Sequence, residues 1–258
     1  MNMTHYRLPY VVSLFLLLVF LSACTAKQKV ITQSEDNRGV GEAYMSKGDY
    51  SEALRYLLMA EQQYSKDYLL HDDLGKVYVA KGKYDLAINH FKKCLDLNPE
   101  YAPGKNNLGS AYLLAGKWDE AIVIFKALNE DLMYATPHFP LYNLGWAYYN
   151  KKEYQTAIDY YNQSLKSQHG FILALRGIGL VYKDMGQPDQ ALVYFHKAAE
   201  KSPKFPQLYM DIGEIYTVLK KYDEAITYYS QVSQIQPDSA ISDQAKARIT
   251  ELMKLISQ

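Results

Sequence analysis

An excess of charge of either sign is missing from this chain, in which 28 Lys and Arg stand against 28 Asp and Glu. Nucleic acid is usually met with a clustered basic face, so the balance gives no electrostatic case for it. Cysteine is scarce as well, with Cys24 and Cys94 only. The short motifs of catalysis are also missing: there is no HExxH, no Gly-rich phosphate loop, no Gly-x-Ser-x-Gly and no Cys-x-x-Cys. His5, His71, His90, His138, His169 and His196 include no pair at a metal-ligand spacing. These gaps argue against an enzyme, a cofactor, a bound metal or a small-molecule substrate, and packing or solvation is the expected role of each histidine.

The amino terminus has a distinct composition. Arg7 is its only formal charge, and an apolar run follows from Leu8 through Leu21. That run is short for a membrane span, which needs about 20 predominantly apolar residues, and it reads instead as a secretory signal. It stops at Leu21-Ser22-Ala23-Cys24. The quartet resembles the lipobox of bacterial lipoproteins, in which the thiol is acylated and becomes the new amino terminus. An ordinary cleaved signal, or an uncleaved anchor with an incidental cysteine, is the alternative.

The resemblance implies that residues 1–23 are removed and that Cys24 is the lipid attachment site, carrying palmitate among its acyl chains. Loss of Arg7 leaves 27 basic against 28 acidic groups, from which no partner class follows. Thr25 stands where an Asp would favour inner-membrane retention, so the resemblance to Gram-negative lipoproteins points to the periplasmic face of the outer membrane. Residues 24–33 read as a lipidated tether. With Cys24 consumed, Cys94 has no partner for an intramolecular disulfide, and the fold must rest on its core.

The remainder repeats itself. Glycines recur at Gly41, Gly75, Gly109, Gly145, Gly179 and Gly213, at separations of 34, 34, 36, 34 and 34 residues. Three residues after each comes Tyr44, Tyr78, Tyr112, Tyr148, Tyr182 or Tyr216, and twelve after each comes Ala53, Ala87, Ala121, Ala157, Ala191 or Ala225. With the glycine placed at position 8, positions 4, 7, 8 and 11 share one stripe of a first helix at about 100° per residue, and positions 20, 24 and 27 share one stripe of a second. Small residues at 8 and 20 let the two helices approach closely. A turn marked by Gly48, Gly82, Gly116 and Gly186 separates them.

This pattern resembles the tetratricopeptide family: repeat two carries Leu74-Gly75, Tyr78, Ala87, Phe91 and Pro99 at the motif positions. The resemblance covers about residues 34–238. It implies an all-α, right-handed superhelical solenoid of six tetratricopeptide repeats, with residues 239–258 as a C-terminal capping helix. An apolar stripe of Ile241, Ala245, Ile249, Leu252 and Ile256 supports the cap. Cys94, at position 27 of repeat two, reads as core packing. The regular tyrosines read as interior residues rather than as a base-stacking platform.

In this family a second stripe of the first helices, positions 2, 5, 9 and 12, lines the binding groove. Leu113 lies on it in repeat three, and in repeat four it is wholly aromatic: Phe139, Tyr142, Trp146 and Tyr149. That is the expected hot spot for a partner segment, because Trp and Tyr dominate binding energy at interfaces. Burial of part of the patch by superhelical curvature, or by the nearby two-residue insertion, is the alternative. Asn107 and Asn143, at position 6 of adjacent repeats, are placed either to bond an extended peptide's backbone, as in family members, or to make local polar contacts.

The stretches Asn106-Asn107-Leu108-Gly109, Asp131-Leu132-Met133-Tyr134-Ala135-Thr136-Pro137 and Tyr142-Asn143-Leu144-Gly145-Trp146-Ala147-Tyr148-Tyr149 resemble the pilotins of type IV pilus biogenesis. These are outer-membrane lipoproteins of six repeats. The resemblance implies that the chain binds a pilus secretin subunit and promotes its localisation and ring assembly, without catalysis. A general periplasmic adaptor lipoprotein, docking cell-wall hydrolases or envelope-assembly factors, is the other reading.

Overall fold

A computed structural model of the chain describes the backbone of residues 7–130 and 136–257, and the side chains of residue 25, 27–130 and 136–257. The side chain of Cys24 and residues 131–135 of the insertion therefore lie outside the described residues. All regular elements among the described residues are helices. In chain order they are α1 (Arg7–Ser46), α2 (Tyr50–Gln63), α3 (Tyr68–Ala80), α4 (Tyr84–Leu97), α5 (Ala102–Leu114), α6 (Trp118–Glu130) and α7 (His138–Asn150). There follow α8 (Tyr154–Ser167), α9 (Ile172–Asp184), α10 (Pro188–Lys201), α11 (Pro206–Val218), α12 (Tyr222–Ile235) and α13 (Ala240–Ile256). Among the described residues no helix is long and apolar enough to cross a membrane.

The chain divides into two compact units, Met1–Ala115 and Gly116–Gln258. Within each, the most extensive packing joins the two helices of one repeat, and the next most extensive joins each second helix to the first helix of the following repeat. This is an all-α repeat solenoid, because neither helix of a hairpin buries both its faces until a neighbour is stacked on it.

The hairpin turn is the same throughout. Position 15 is left-handed in Gly48, Gly82, Gly116 and Gly186, at φ 77°, 69°, 73° and 70°. Repeats four and six adopt it with Lys152 and Lys220, at φ 62° and 58°. A side chain in that region is strained, so the geometry of the hairpin overrides local preference at both lysines.

Close approach explains the glycine at position 8. A Cβ on Gly145 would come within 2.6 Å of the Tyr161 ring, the aromatic at position 24 of the same repeat. Phe91, Phe125, Phe195 and Tyr229 occupy the same place in their repeats and are likewise buried. In five of the six repeats the tyrosine at position 11 stacks on a second aromatic, at position 23, where repeat three has Ile124. Tyr44–Tyr56, Tyr148–Tyr160, Tyr182–Tyr194 and Tyr216–Tyr228 have ring centroids 5.6, 5.3, 5.5 and 5.3 Å apart. In repeat two the partner of Tyr78 is His90, at 5.3 Å. Cys94 is a buried free thiol, pushed up to about 12 by burial, which leaves it unreactive.

The two ends differ. At the front, α1 runs without interruption into repeat one, so residues 25–33, read as a tether, are helical. Ser34, on the same helix, is buried and its Oγ donates to the Ala60 carbonyl at 3.0 Å. At the back, Ser239 caps α13 by accepting the Ser242 N–H at 3.3 Å. Ala245 and Leu252 are buried in the cluster around Tyr229, and Ile241 and Ile249 pack against it. Ile256, expected on the same stripe, is 51% exposed and lies past the end of that contact.

Candidate protein-binding face

The first helix of each repeat carries the residues singled out for partner binding, and the two units present different chemistry there. In the first unit the face is polar. Lys76 Nζ lies 2.6 Å from Asp72 Oδ2 and 3.2 Å from Asp73 Oδ1, and Arg38 bridges Glu42 at 3.4 Å and Asp67 at 3.2 Å. Burial raises Asp73 to about 6 against the opposing pull of Lys76, and Glu42 adds to the rise. Asn107 donates its Nδ2 to Asp72 Oδ1 at 2.9 Å, bridging adjacent repeats, so its amide is engaged within the protein.

Leu113 is 1% exposed, which corrects its place on the partner-facing stripe. A feature not visible in the sequence appears beside it: Asp73 Oδ2 and Asn106 Oδ1 are buried without a hydrogen-bond partner among the described residues. Such acceptors are costly to leave unfilled.

In the second unit the face is aromatic. Phe139 is 41% exposed at the start of α7, and Phe171, which precedes α9, meets it edge-on at 5.6 Å. His138 completes the group, with ring centroids 4.3 Å from Phe139 and 5.1 Å from Phe171. Tyr142 turns inward from there. Its ring lies 5.7 Å from Phe171, 5.8 Å from Tyr161 and 6.4 Å from Trp146. It packs against the core cluster of Tyr161 and Ile178, and burial raises its phenol. Tyr142 is therefore shared between interior and surface. Trp146 and Asn143, one turn apart or less on α7, are half-exposed. Tyr149 donates its hydroxyl to Asp184 Oδ2 at 2.7 Å, which couples repeat four to repeat five.

Polar bonds between the first helices of neighbouring repeats tie this face together. Arg176 grips Asp211 with two bonds, Nε to Oδ2 at 2.5 Å and a terminal nitrogen to Oδ1 at 3.1 Å. Lys183 reaches Glu214 at 3.2 Å. Asp211 is 3% exposed, so Arg176→Ala would strand a buried carboxylate with Gln207 as its remaining donor. Breaking a buried pair is strongly destabilising, and discounting for the partial exposure of Arg176 gives an expected loss of about 2 kcal/mol in a urea unfolding experiment.

Profiles of the tetratricopeptide repeat match residues 78–132 and 183–249 in one case and residues 140–171 in the other. The chain is a tetratricopeptide repeat protein. Three solved structures of this fold are similar along most of their length. PilW, a widely conserved type IV pilus biogenesis factor, is 23% identical, with 82% of this chain and 97% of that one covered at a TM-score of 0.68. PilF of Pseudomonas aeruginosa is 18% identical over 86% of this chain and 99% of its own, at 0.62. A tetratricopeptide repeat protein from Parabacteroides merdae is 16% identical over 85% and 84%, at 0.71. At these identities the likeness establishes the shared solenoid. No curated protein matches the sequence. Mediation of protein–protein contacts is the general work of tetratricopeptide repeats, and the face just described has the chemistry for it.

Proposed function

We propose that this tetratricopeptide chain is an outer-membrane lipoprotein of the pilotin kind, which holds a type IV pilus secretin subunit at the membrane and promotes its assembly into a ring. It works by non-covalent capture. Cys24 supplies the anchor and the face of α7 supplies the contacts. The observation that carries the reading is the aromatic group on α7, with Phe139 exposed and Trp146 half-buried. Phe139 and Trp146 keep accessible ring surface on a helix whose other large apolar residues, Leu141 and Leu144, are buried. Surface aromatics of this kind are the usual anchors of a protein interface. The lipobox at Cys24 and the likeness to PilW and PilF support the pilus context. Tethering raises the local concentration of partner at one membrane, a gain that needs no exceptional affinity.

The test uses Phe139→Ala and Trp146→Ala together, leaving Tyr142 in place because its ring also fills the core. Loss of a hot-spot pair is expected to weaken capture of purified secretin by about thirtyfold or more. Circular dichroism and the thermal midpoint should stay near the parent values. Secretin binding by the double variant at parental affinity would remove α7 from the interface. Recovery of cell-wall hydrolases in place of secretin would assign the adaptor function.

A further inference from the structure

Position 23 carries tyrosine in repeats one, four, five and six, and each of those rings stacks on the position 11 tyrosine of its own repeat. Repeat two puts His90 there, and its ring makes the same stack on Tyr78. Packing alone is served by tyrosine, so the imidazole adds something a phenol does not, namely two nitrogens. One of them meets a second unusual residue. His71 stands at position 4, where repeats four and five have Leu141 and Leu175. The two Nδ1 atoms face each other at 3.2 Å, and both rings are buried, at 2% and 8% exposure. From the preceding repeat, at the end of α2, Glu61 brings Oε1 to 3.9 Å from His71 Nδ1. All three ligand atoms lie within 4.8 Å of one another.

We propose that Glu61, His71 and His90 form a site for a single divalent transition metal of the zinc class. Two nitrogens bound to zinc at about 2.05 Å across a tetrahedral angle sit about 3.3 Å apart, close to the spacing of this pair. The donor set of two imidazoles and a carboxylate suits zinc better than magnesium or calcium, which take oxygen. The outer arrangement also fits. His71 Nε2 lies 2.9 Å from the Ser65 carbonyl, and an N–H donated there leaves the Nδ1 lone pair directed at the site. Metal-ligating histidines almost always have their second nitrogen held in this way.

Burial, more than any charge nearby, lowers His90 to about 4, so its ring is neutral and available as a ligand at periplasmic pH. Without an ion, His90 donates its Nδ1 proton to His71. Binding moves that proton to Nε2, and the ring stays neutral. A surface pocket of about 230 Å³, lined by Ser65, His71, Lys93, Asp96 and Leu97, opens beside His71. The occupied site would clip α2 to both helices of repeat two, within the unit that holds the unfilled acceptors Asp73 and Asn106.

The experiment is calorimetric titration of the untagged full-length lipoprotein in detergent with zinc chloride, alongside thermal unfolding with and without the metal. One equivalent is expected to bind and to raise the thermal midpoint, since a ligand selective for the native state stabilises it. His90→Tyr restores the residue other repeats use and keeps the stack on Tyr78, and His71→Leu does the same for position 4. Each is expected to weaken zinc binding by at least about tenfold while retaining helical content. Absence of a binding heat in the parent, or equal affinity in His90→Tyr, would overturn the site and leave the two rings as a hydrogen-bonded pair.

Discussion

Replacing Cys24 with serine is expected to move the protein completely from the membrane fraction to the soluble periplasmic fraction, as read by fractionation and immunoblotting. Serine has a hydroxyl of nearly the same size, so the apolar run before it and the small residues Ser22 and Ala23 are unchanged. What is lost is the thiol on which acylation depends. A single acyl chain gives only marginal, reversible membrane binding, whereas two lipid signals make attachment stable. Removing all of them at once should therefore give an all-or-none shift. If the serine variant stays with the membrane after a high-salt wash, the lipobox reading fails and the apolar segment itself must be the anchor.

The second large effect belongs to the core. Tyr161 is wedged between glycines of two repeats, Gly145 at position 8 of its own and Gly177 at position 6 of the next. An added Cβ on Gly177 would sit 2.5 Å from Tyr161 Cζ. The ring is 2% exposed and has no space to retreat into, so Gly177→Ala is expected to cost about 3 kcal/mol, the upper part of the range for overpacking. Pairing it with Tyr161→Leu, which vacates the space, should return at least about 1 kcal/mol relative to the sum of the single changes. Additive losses in that cycle would show that the cost of filling Gly177 comes from something other than this ring. The exchange matters beyond stability, since Tyr161 also supports Tyr142 from beneath and so sets the level of the aromatic face.

The repeat was legible because its signal is redundant: glycine, tyrosine and alanine recur together, and a helical hairpin with one buried stripe per helix follows from their spacing. The partner face was legible only in part, for a definite reason. A stripe drawn at 100° per residue treats each helix as isolated, whereas exposure in a solenoid is decided by the neighbouring turns of chain. Asp72, Tyr142 and Met210 share position 5, yet Asp72 and Met210 are buried and Tyr142 is half-covered. Leu113 on the same stripe is buried too, and Asn107 spends its amide on Asp72. The histidine pair escaped notice for a related reason. A search for ligands at short helical spacings does not connect residues 19 apart on two helices of a hairpin. Aligning the six repeats would have found it, because His90 stands out against Tyr56, Tyr160, Tyr194 and Tyr228.

The uninterrupted α1 has a consequence for reach. A flexible leash of ten residues would let the scaffold roam as far as about 33–36 Å from its attachment point. Wound as helix, the same ten residues between Cys24 and Ser34 span only ~15 Å. Were the chain processed at Cys24, its first hairpin would stand on a short stiff stalk, held within about 15 Å of the point of attachment rather than swinging on a leash.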